Sequence, residues 1–115
     1  MYQYSITSYS GREWMKREDS DKGEGGWPGL VRAFTEAEDQ ERTEELMNLF
    51  FTISEREGLI QRYNLVKALL EEKRTQREIS QDLGISISKI TAGSNALKVI
   101  SGKLKEYLTD KMRVN

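Results

Sequence analysis

Apolar residues recur at helical spacing along most of the chain after residue 26, and this pattern predicts six helices in an all-α fold. Trp27 and Pro28 open the first helix, because proline is well tolerated in a first helical turn. The apolar positions that follow on this helix are Leu30, Val31, Phe34 and Ala37. A second helix is predicted from Gln40 to Phe51, with its apolar residues crowded at the end.

A long third helix is predicted to begin at a capping box formed by Ser54 and Glu57 and to reach about Lys73. Its inner stripe is predicted to consist of Leu59 or Ile60, Tyr63, Val66, Leu69 and Leu70. Near the end of the chain Gly102 is predicted to break the backbone. A last helix then carries apolar residues four apart, at Leu104, Leu108 and Met112.

Between these elements, residues 75–98 predict two short helices joined by a tight turn. Thr75 and Glu78 have the spacing of a capping box. Gly84 supplies the backbone freedom that a sharp helix end needs, and Ser86 is a good N-cap for the second helix. The buried positions are predicted to be Ile79 and Leu83 in the first helix, and Ile90 and Leu97 in the second.

The second short helix begins with side chains that are mostly small, polar or basic. These residues are Ile87, Ser88, Lys89, Thr91 and Ala92, and several of them are expected to face outward. A helix of this kind can enter a DNA major groove with its N-terminal residues at the base edges. The same spacing also fits a plain three-helix core, so the pattern alone leaves both interpretations open.

Composition narrows the functional classes. The chain has 115 residues, which is one small domain, and it contains no cysteine and no histidine. Disulfides and cysteine–metal sites are therefore excluded, and a zinc site is implausible. No nucleophile motif and no phosphate loop is present, so we do not expect an enzyme. No apolar run approaches the roughly 18 residues that span a bilayer, and we expect a cytoplasmic protein with no membrane partner.

The net charge is −1, but the charges are unevenly placed. Residues 73–105 contain seven basic and two acidic side chains, whereas residues 36–57 contain two basic and eight acidic ones. A basic surface on an acidic body is typical of a site-selective DNA binder, although such charges also solvate helix faces. Residues 1–26 show no sustained period and end in a glycine-rich break, so we expect a flexible N-terminal arm before a helical domain at 27–115.

The second short helix also resembles a known family. Residues 90–98 read I-T-A-G-S-N-A-L-K, which is similar to the I-T-R-G-S-N-x-L-K motif of the tryptophan repressor family, with Ala92 in place of the arginine. The similarity extends from about Trp27 to about Leu108. It implies an intertwined homodimer with a helix–turn–helix motif at 75–98, and a bacterial DNA-binding repressor of transcription controlled by tryptophan or a related indole acid. The two reading helices would then lie about one DNA turn, roughly 34 Å, apart on a near-palindromic operator.

The resemblance assigns roles to individual residues. Those expected to contact DNA are Gln76, Arg77, Ile87, Ser88, Lys89, Thr91 and Lys98. Those expected to bind the ligand are Leu49, Phe51, Thr52, Arg62, Lys89, Ala92, Gly93 and Ala96. Ser80 stands where the best-known members carry a lysine that reaches DNA.

Two departures from the family affect the ligand site. Ala92 replaces an arginine that meets the ligand carboxylate, and Ala96 replaces a serine near the ligand amine. Lys89 lies three residues before Ala92 on the same helix face, so its ammonium can take the place of the missing guanidinium. The hypothesis is a retained but retuned pocket that prefers an indole acid without the amino group or binds tryptophan weakly. The alternative interpretation of Lys89 is that it contacts only phosphate. Two alternatives for the whole chain are a ligand-independent DNA-binding member and a helical protein-interaction module that no longer binds DNA.

Overall fold

The computed structural model describes residues 25–114, and within them every regular element is an α-helix. The predicted all-α fold is therefore confirmed. The predicted flexible arm, residues 1–26, lies outside the described residues except for its last two glycines. Gly25 is the N-cap of the first helix and Gly26 is its first residue. None of the described helices has the length and apolar character needed to cross a bilayer.

The chain divides into two compact units, and the first ends at Phe50. Its described part contains α1 (Gly26–Thr35) and α2 (Gln40–Phe50). Asp39 caps α2, because its Oδ1 accepts the Arg42 N–H at 2.9 Å. The rings of Phe34 and Phe50 pack together with their centroids 6.4 Å apart. The α2 helix begins at its predicted residue and ends one residue early, whereas α1 ends at Thr35, so Ala37, which was predicted on this helix, lies beyond it.

The second unit begins at Phe51 and contains the remaining four described helices. These are α3 (Ile53–Glu71), α4 (Gln76–Leu83), α5 (Ile87–Lys98) and α6 (Gly102–Lys111). The core lies where α3, α4 and α5 meet, and it consists of Leu65, Ala68, Ile79, Ile85 and Ile90. Ile79 and Ile90 are the most deeply buried, with 1% and 0% of their surface exposed. The predicted burial of Ile79 in the first short helix and of Ile90 in the second is therefore confirmed.

The predicted start of α3 is wrong by two residues. Thr52, not Ser54, is the N-cap: its hydroxyl accepts the Glu55 N–H at 3.1 Å, and Glu55 Oε1 accepts the Thr52 N–H at 2.9 Å. Thr52 and Glu55 have the same spacing as Ser54 and Glu57. The earlier pair forms the box because Thr52 has the extended backbone that an N-cap requires, whereas Ser54 is already helical.

The predicted inner stripe of α3 is wrong in its first half. Leu59, Ile60 and Tyr63 are about half exposed, whereas the buried residues of this helix are Leu65 and Ala68. The reason is that the core shared with α4 and α5 forms around the C-terminal half of α3. Leu69 packs against that core as predicted.

Two further helix boundaries have clear causes. The α3 helix ends because its C-cap, Glu72, adopts the left-handed conformation with φ 55°. The predicted break at Gly102 is displaced by one residue: Ser101 is the N-cap of α6, and its hydroxyl accepts the Leu104 N–H at 3.1 Å. Met112, the last predicted apolar position, follows α6 and is buried.

Candidate nucleic-acid interface and the cavity beside it

The two short helices and their turn are built from reciprocal hydrogen bonds. Thr75 caps α4 by accepting the Glu78 N–H at 3.1 Å, and Glu78 Oε1 accepts the Thr75 N–H at 2.8 Å. Gly84 then ends the helix with φ 67°, a conformation that costs glycine little. Ser86 begins α5 by accepting the Lys89 N–H at 3.2 Å. The capping box, the glycine end and the serine cap predicted here are all confirmed.

Two further contacts hold this turn in place. Ser80 Oγ donates to the carbonyl oxygen of Ile85 at 2.7 Å, which satisfies a partly buried acceptor in the turn. Arg74 links the end of α3 to α4: its Nη1 lies 2.8 Å from Asp82 Oδ2, and its Nη2 lies 3.7 Å from Glu71 Oε1. Ser80 therefore has a local structural role in the turn.

The first turn of α5 presents one apolar and several polar side chains to solvent. Ile87 is 48% exposed, and Ser88, Lys89 and Thr91 are exposed as well. Ser88 Oγ lies 3.3 Å from Ser86 Oγ, so its hydroxyl is paired within the same turn. Ile90 is fully buried, and Ser88, two residues earlier, lies on the opposite side of the helix. The alternative interpretation of Ile87, that it is a core residue, does not fit this geometry.

The remaining residues predicted to contact DNA also lie at the surface. Gln76 and Arg77 are exposed in the first turn of α4, and Lys98 is exposed at the end of α5. Free backbone N–H groups and a cation at a helix start are suited to hold phosphate.

A cavity of about 720 Å³ lies in the second unit, with α3 and α5 contributing most of its walls. Pockets of this size hold a small aromatic ligand. Six of the eight residues predicted to bind ligand line it: Phe51, Arg62, Lys89, Ala92, Gly93 and Ala96. Lys89 and Ala92 do share one helix face, as their spacing predicts.

The other two predicted ligand residues are placed elsewhere. Thr52 is not part of the lining, and its hydroxyl and N–H are both used in the cap of α3. Leu49 belongs to the first unit, where it lies on α2 and is 74% exposed.

Gly93 has a packing role in addition to its place in the cavity wall. A Cβ added at this position would lie 2.9 Å from Leu65 Cδ2 and 3.6 Å from Leu69 Cδ1. The separation of 2.9 Å is an overlap, whereas 3.6 Å is an ordinary contact, so the absence of a side chain at Gly93 allows α5 to approach Leu65 on α3.

The cavity lining contains three charged side chains, and they are not equally available to a ligand. Arg62 on α3 and Lys89 on α5 are its cations, and Glu55 is its carboxylate. One oxygen of Glu55 is already held by the Thr52 N–H. Gln61 adds a neutral amide, and no hydroxyl-bearing side chain is among the lining residues. The rest of the lining is glycine, alanine and larger apolar side chains.

Several lining residues were not predicted from the sequence, among them Glu55, Gly58, Leu59 and Leu65. Counting along α3 in helical steps from Arg62 reaches all of them, at intervals of three, four and seven residues. Their spacing from Arg62 along α3 is therefore the sequence signal that identifies them.

Comparison with known proteins is consistent with this arrangement. Residues 25–112 match the family described as Trp repressor protein. A Trp operon repressor homolog of Chlamydia caviae is 43% identical over 88 residues, covering 76% of this chain and 87% of that protein. The homolog of Chlamydia trachomatis serovar D is 40% identical over 85 residues, covering 74% and 90%. The homolog of Vibrio vulnificus strain YJ016 is 38% identical over 89 residues, covering 77% and 81%.

Proposed function

The chain belongs to the Trp repressor family, a family of DNA-binding transcriptional repressors, and we propose that it represses transcription by binding operator DNA under the control of tryptophan or a related indole acid. In this proposal α4 and α5 form the DNA-binding helix–turn–helix, with α5 as the reading helix. The ligand occupies the cavity between α3 and α5.

The observation that carries the DNA-binding proposal is the exposure of an isoleucine in the first turn of α5. Ile90 is fully buried, whereas Ile87 is left half exposed beside exposed polar neighbours. An exposed isoleucine has an unfavourable contact with water, but it suits the methyl group of a thymine in the major groove. Ser88 and Thr91 then lie within the same reading surface.

The proposal gives the surrounding polar and basic residues a positioning role. Gln76 and Arg77 would meet phosphate at the start of α4, and Lys98 would neutralise phosphate at the end of α5. Such contacts orient the protein on the duplex without reading its sequence. Lys89 lies at the edge of both surfaces and can contact phosphate or the ligand.

We also assign the protein a homodimeric state. Large apolar side chains are exposed in both units, including Leu49, Ile53, Ile60 and Val99. A second copy of the chain would remove such surface from water. Light scattering coupled to size-exclusion chromatography would then give twice the chain mass of 13.3 kDa.

The function is tested first by selecting preferred duplexes from a random-site library with the full chain. Fluorescence anisotropy then measures binding to the selected duplex in a salt series, with and without 1 mM L-tryptophan or indole-3-propionate. We expect a near-palindromic site, a steep loss of affinity with salt, and tighter binding with one of the two ligands.

Two substitutions separate the expected base-reading role of Ile87 from the expected phosphate-contacting role of Lys98. Ile87→Ala should weaken binding to the selected duplex by about tenfold while leaving binding to random duplex unchanged. Lys98→Ala should weaken binding to both duplexes and lower by about one the slope of log affinity against log salt concentration. Lys111→Ala, which removes an exposed lysine elsewhere, is the matched control.

Equal binding with and without either ligand would favour a ligand-independent repressor. Absence of any salt-sensitive DNA binding would contradict the proposal and favour a protein-interaction module.

A further inference from the structure

The turn between α4 and α5 is closed by a reciprocal pair of hydrogen bonds between Ser80 and Ile85. The Ser80 hydroxyl donates to the Ile85 carbonyl oxygen at 2.7 Å, and the Ser80 carbonyl oxygen accepts the Ile85 N–H at 3.3 Å. The Ser80 carbonyl oxygen also accepts the Gly84 N–H at 2.9 Å. Backbone hydrogen bonds of this kind are common where a glycine ends a helix. The hydrogen bond from the hydroxyl, in contrast, depends on which side chain stands at position 80.

The hydrogen bond from the Ser80 hydroxyl holds the peptide group through which the chain enters α5. Ile85 is 4% exposed and belongs to the core of the second unit, so its side chain is anchored as well. Because a peptide group is planar, a fixed Ile85 carbonyl oxygen also fixes the direction of the Ser86 N–H. Ser86 is the N-cap of α5 and accepts the Lys89 N–H at 3.2 Å. A continuous series of contacts therefore runs from Ser80 to the first turn of α5.

That first turn carries the proposed reading surface, which includes Ile87 and Ser88. Contacts with base edges need close contact and correct alignment, whereas attraction to the phosphate charges acts over a longer distance and tolerates a misaligned helix. A turn that is fixed before DNA arrives also lowers the entropy lost on binding. Loosening the turn should therefore weaken binding to a specific duplex more than binding to a random one.

We propose that Ser80 is a positioning residue for the reading helix: its hydroxyl fixes the peptide that enters α5, and this contact raises the discrimination of the operator from other DNA. The inference rests on the proposed function, because it needs α5 to read base edges. The competing role for Ser80 is a direct hydrogen bond from its hydroxyl to phosphate. That role predicts an equal loss of affinity for specific and random duplexes when the hydroxyl is removed.

Fluorescence anisotropy with the full chain tests the proposal on two duplexes, the one selected from the random-site library and a random one. The measured quantity is the ratio of the two affinities. Ser80→Ala should lower this ratio about fivefold and change the affinity for random duplex by less than about twofold. Ser80→Thr keeps a hydroxyl on the same carbon and should retain most of the ratio. The matched control is Ser54→Ala, which removes an exposed serine hydroxyl from α3 and should leave both affinities unchanged.

Three results of this experiment would overturn the proposal. The first is an unchanged ratio for Ser80→Ala. The second is an equal loss of affinity for both duplexes, which would favour the direct contact with phosphate. The third is a loss of the ratio in Ser80→Thr as large as in Ser80→Ala, which would show that the hydroxyl is not the cause.

Amide hydrogen exchange of the free protein supplies a measurement that does not need DNA. Ser80→Ala should speed exchange of the Gly84 and Ile85 amides by about fivefold, because the lost contact is confined to the turn. The amides of Leu65 and Ala68 in α3 should keep their rates. An equal acceleration at all four amides would show a general loss of stability and would contradict a positioning role.

The failure of this inference can be told apart from the failure of the proposed function. If the wild type binds its selected duplex but Ser80→Ala changes neither the affinity ratio nor the exchange of the turn amides, the positioning role is wrong and the repressor assignment stands. If the turn amides respond as expected but the wild type selects no duplex, Ser80 does fix the turn, and its role in reading DNA is wrong together with the proposed function.

Discussion

Replacing Gly93 with alanine should reveal the cost of the close contact between α5 and α3. The new Cβ would lie 2.9 Å from Leu65 Cδ2, whereas carbon atoms in comfortable contact are about 3.5–4.0 Å apart. Leu65 would have to retreat by about 0.6–1 Å on this scale. It is 5% exposed and packs with Ala68 and Ile90 in the core, so its side chain can retreat only toward the cavity that it also lines. Overpacking of this kind costs about 1–3 kcal/mol.

The matched control for this substitution is Gly58→Ala. Gly58 also lies inside a helix, α3, but an added Cβ there meets no atom within 4 Å. Both variants gain the helix propensity of alanine over glycine, about 1 kcal/mol, and only Gly93→Ala suffers the overlap. We expect Gly58→Ala to be more stable than the wild type by about 1 kcal/mol and Gly93→Ala to be about 1–3 kcal/mol less stable than Gly58→Ala.

The assay is urea unfolding followed by far-ultraviolet circular dichroism, with all variants at one protein concentration because association shifts the apparent stability. The difference between the two variants is the measured quantity, and their m-values should agree. If Gly93→Ala gained as much stability as Gly58→Ala, Leu65 would be accommodating a methyl group at no cost. The claim that glycine is needed for the helix contact would then be refuted.

Two further predictions concern helix ends. Thr52→Ala should lower the free energy of unfolding by about 1 kcal/mol, because it removes the cap of α3. The control Ser54→Ala should change it by less than about 0.5 kcal/mol. Equal losses for the two variants in urea unfolding would contradict the capping assignment. Glu72→Gly should raise the unfolding free energy by up to about 1 kcal/mol, because glycine adopts φ 55° without the cost that a side chain imposes. Thermal melting would show this gain as a rise of a few degrees in melting temperature. The control Lys73→Gly should not gain stability. A lower melting temperature for Glu72→Gly would contradict the reasoning.

Helix caps show where sequence reasoning succeeds and where it becomes ambiguous. Thr75 and Glu78 were predicted correctly, because no competing pair overlaps them. The stretch T-I-S-E-R-E at 52–57 contains two overlapping pairs with identical spacing, and the wrong one was chosen. Only the backbone conformation of Thr52 separates them, and that depends on how the chain enters the helix.

Burial along α3 could not be predicted for a different physical reason. Apolar residues occupy more than one face of this helix, so its periodicity does not identify a single buried stripe. The core of the second unit uses Leu65 and Ala68, and it leaves Tyr63 half exposed. Which face is covered depends on the helices that pack against α3, and spacing within one helix carries no information about them. The wall of the cavity on α5 was predicted through the resemblance to the family, and spacing added that Lys89 shares a helix face with Ala92.

Under the proposed function, ligand and DNA act on the same helix. The cavity has one wall on α5, and the first turn of α5 is the proposed reading surface. The α4 helix is tied to the end of α3 by the pair between Arg74 and Asp82, a partly exposed contact that contributes no more than about 1 kcal/mol. A ligand between α3 and α5 therefore acts mainly on the position of α5 relative to α3, where Gly93 already sets the distance. Because coupling between two sites is reciprocal, operator DNA must raise the affinity for a true corepressor by the same factor that the corepressor raises the affinity for DNA. A compound that fills the cavity equally well with and without operator DNA is a ligand of this fold but not its regulator.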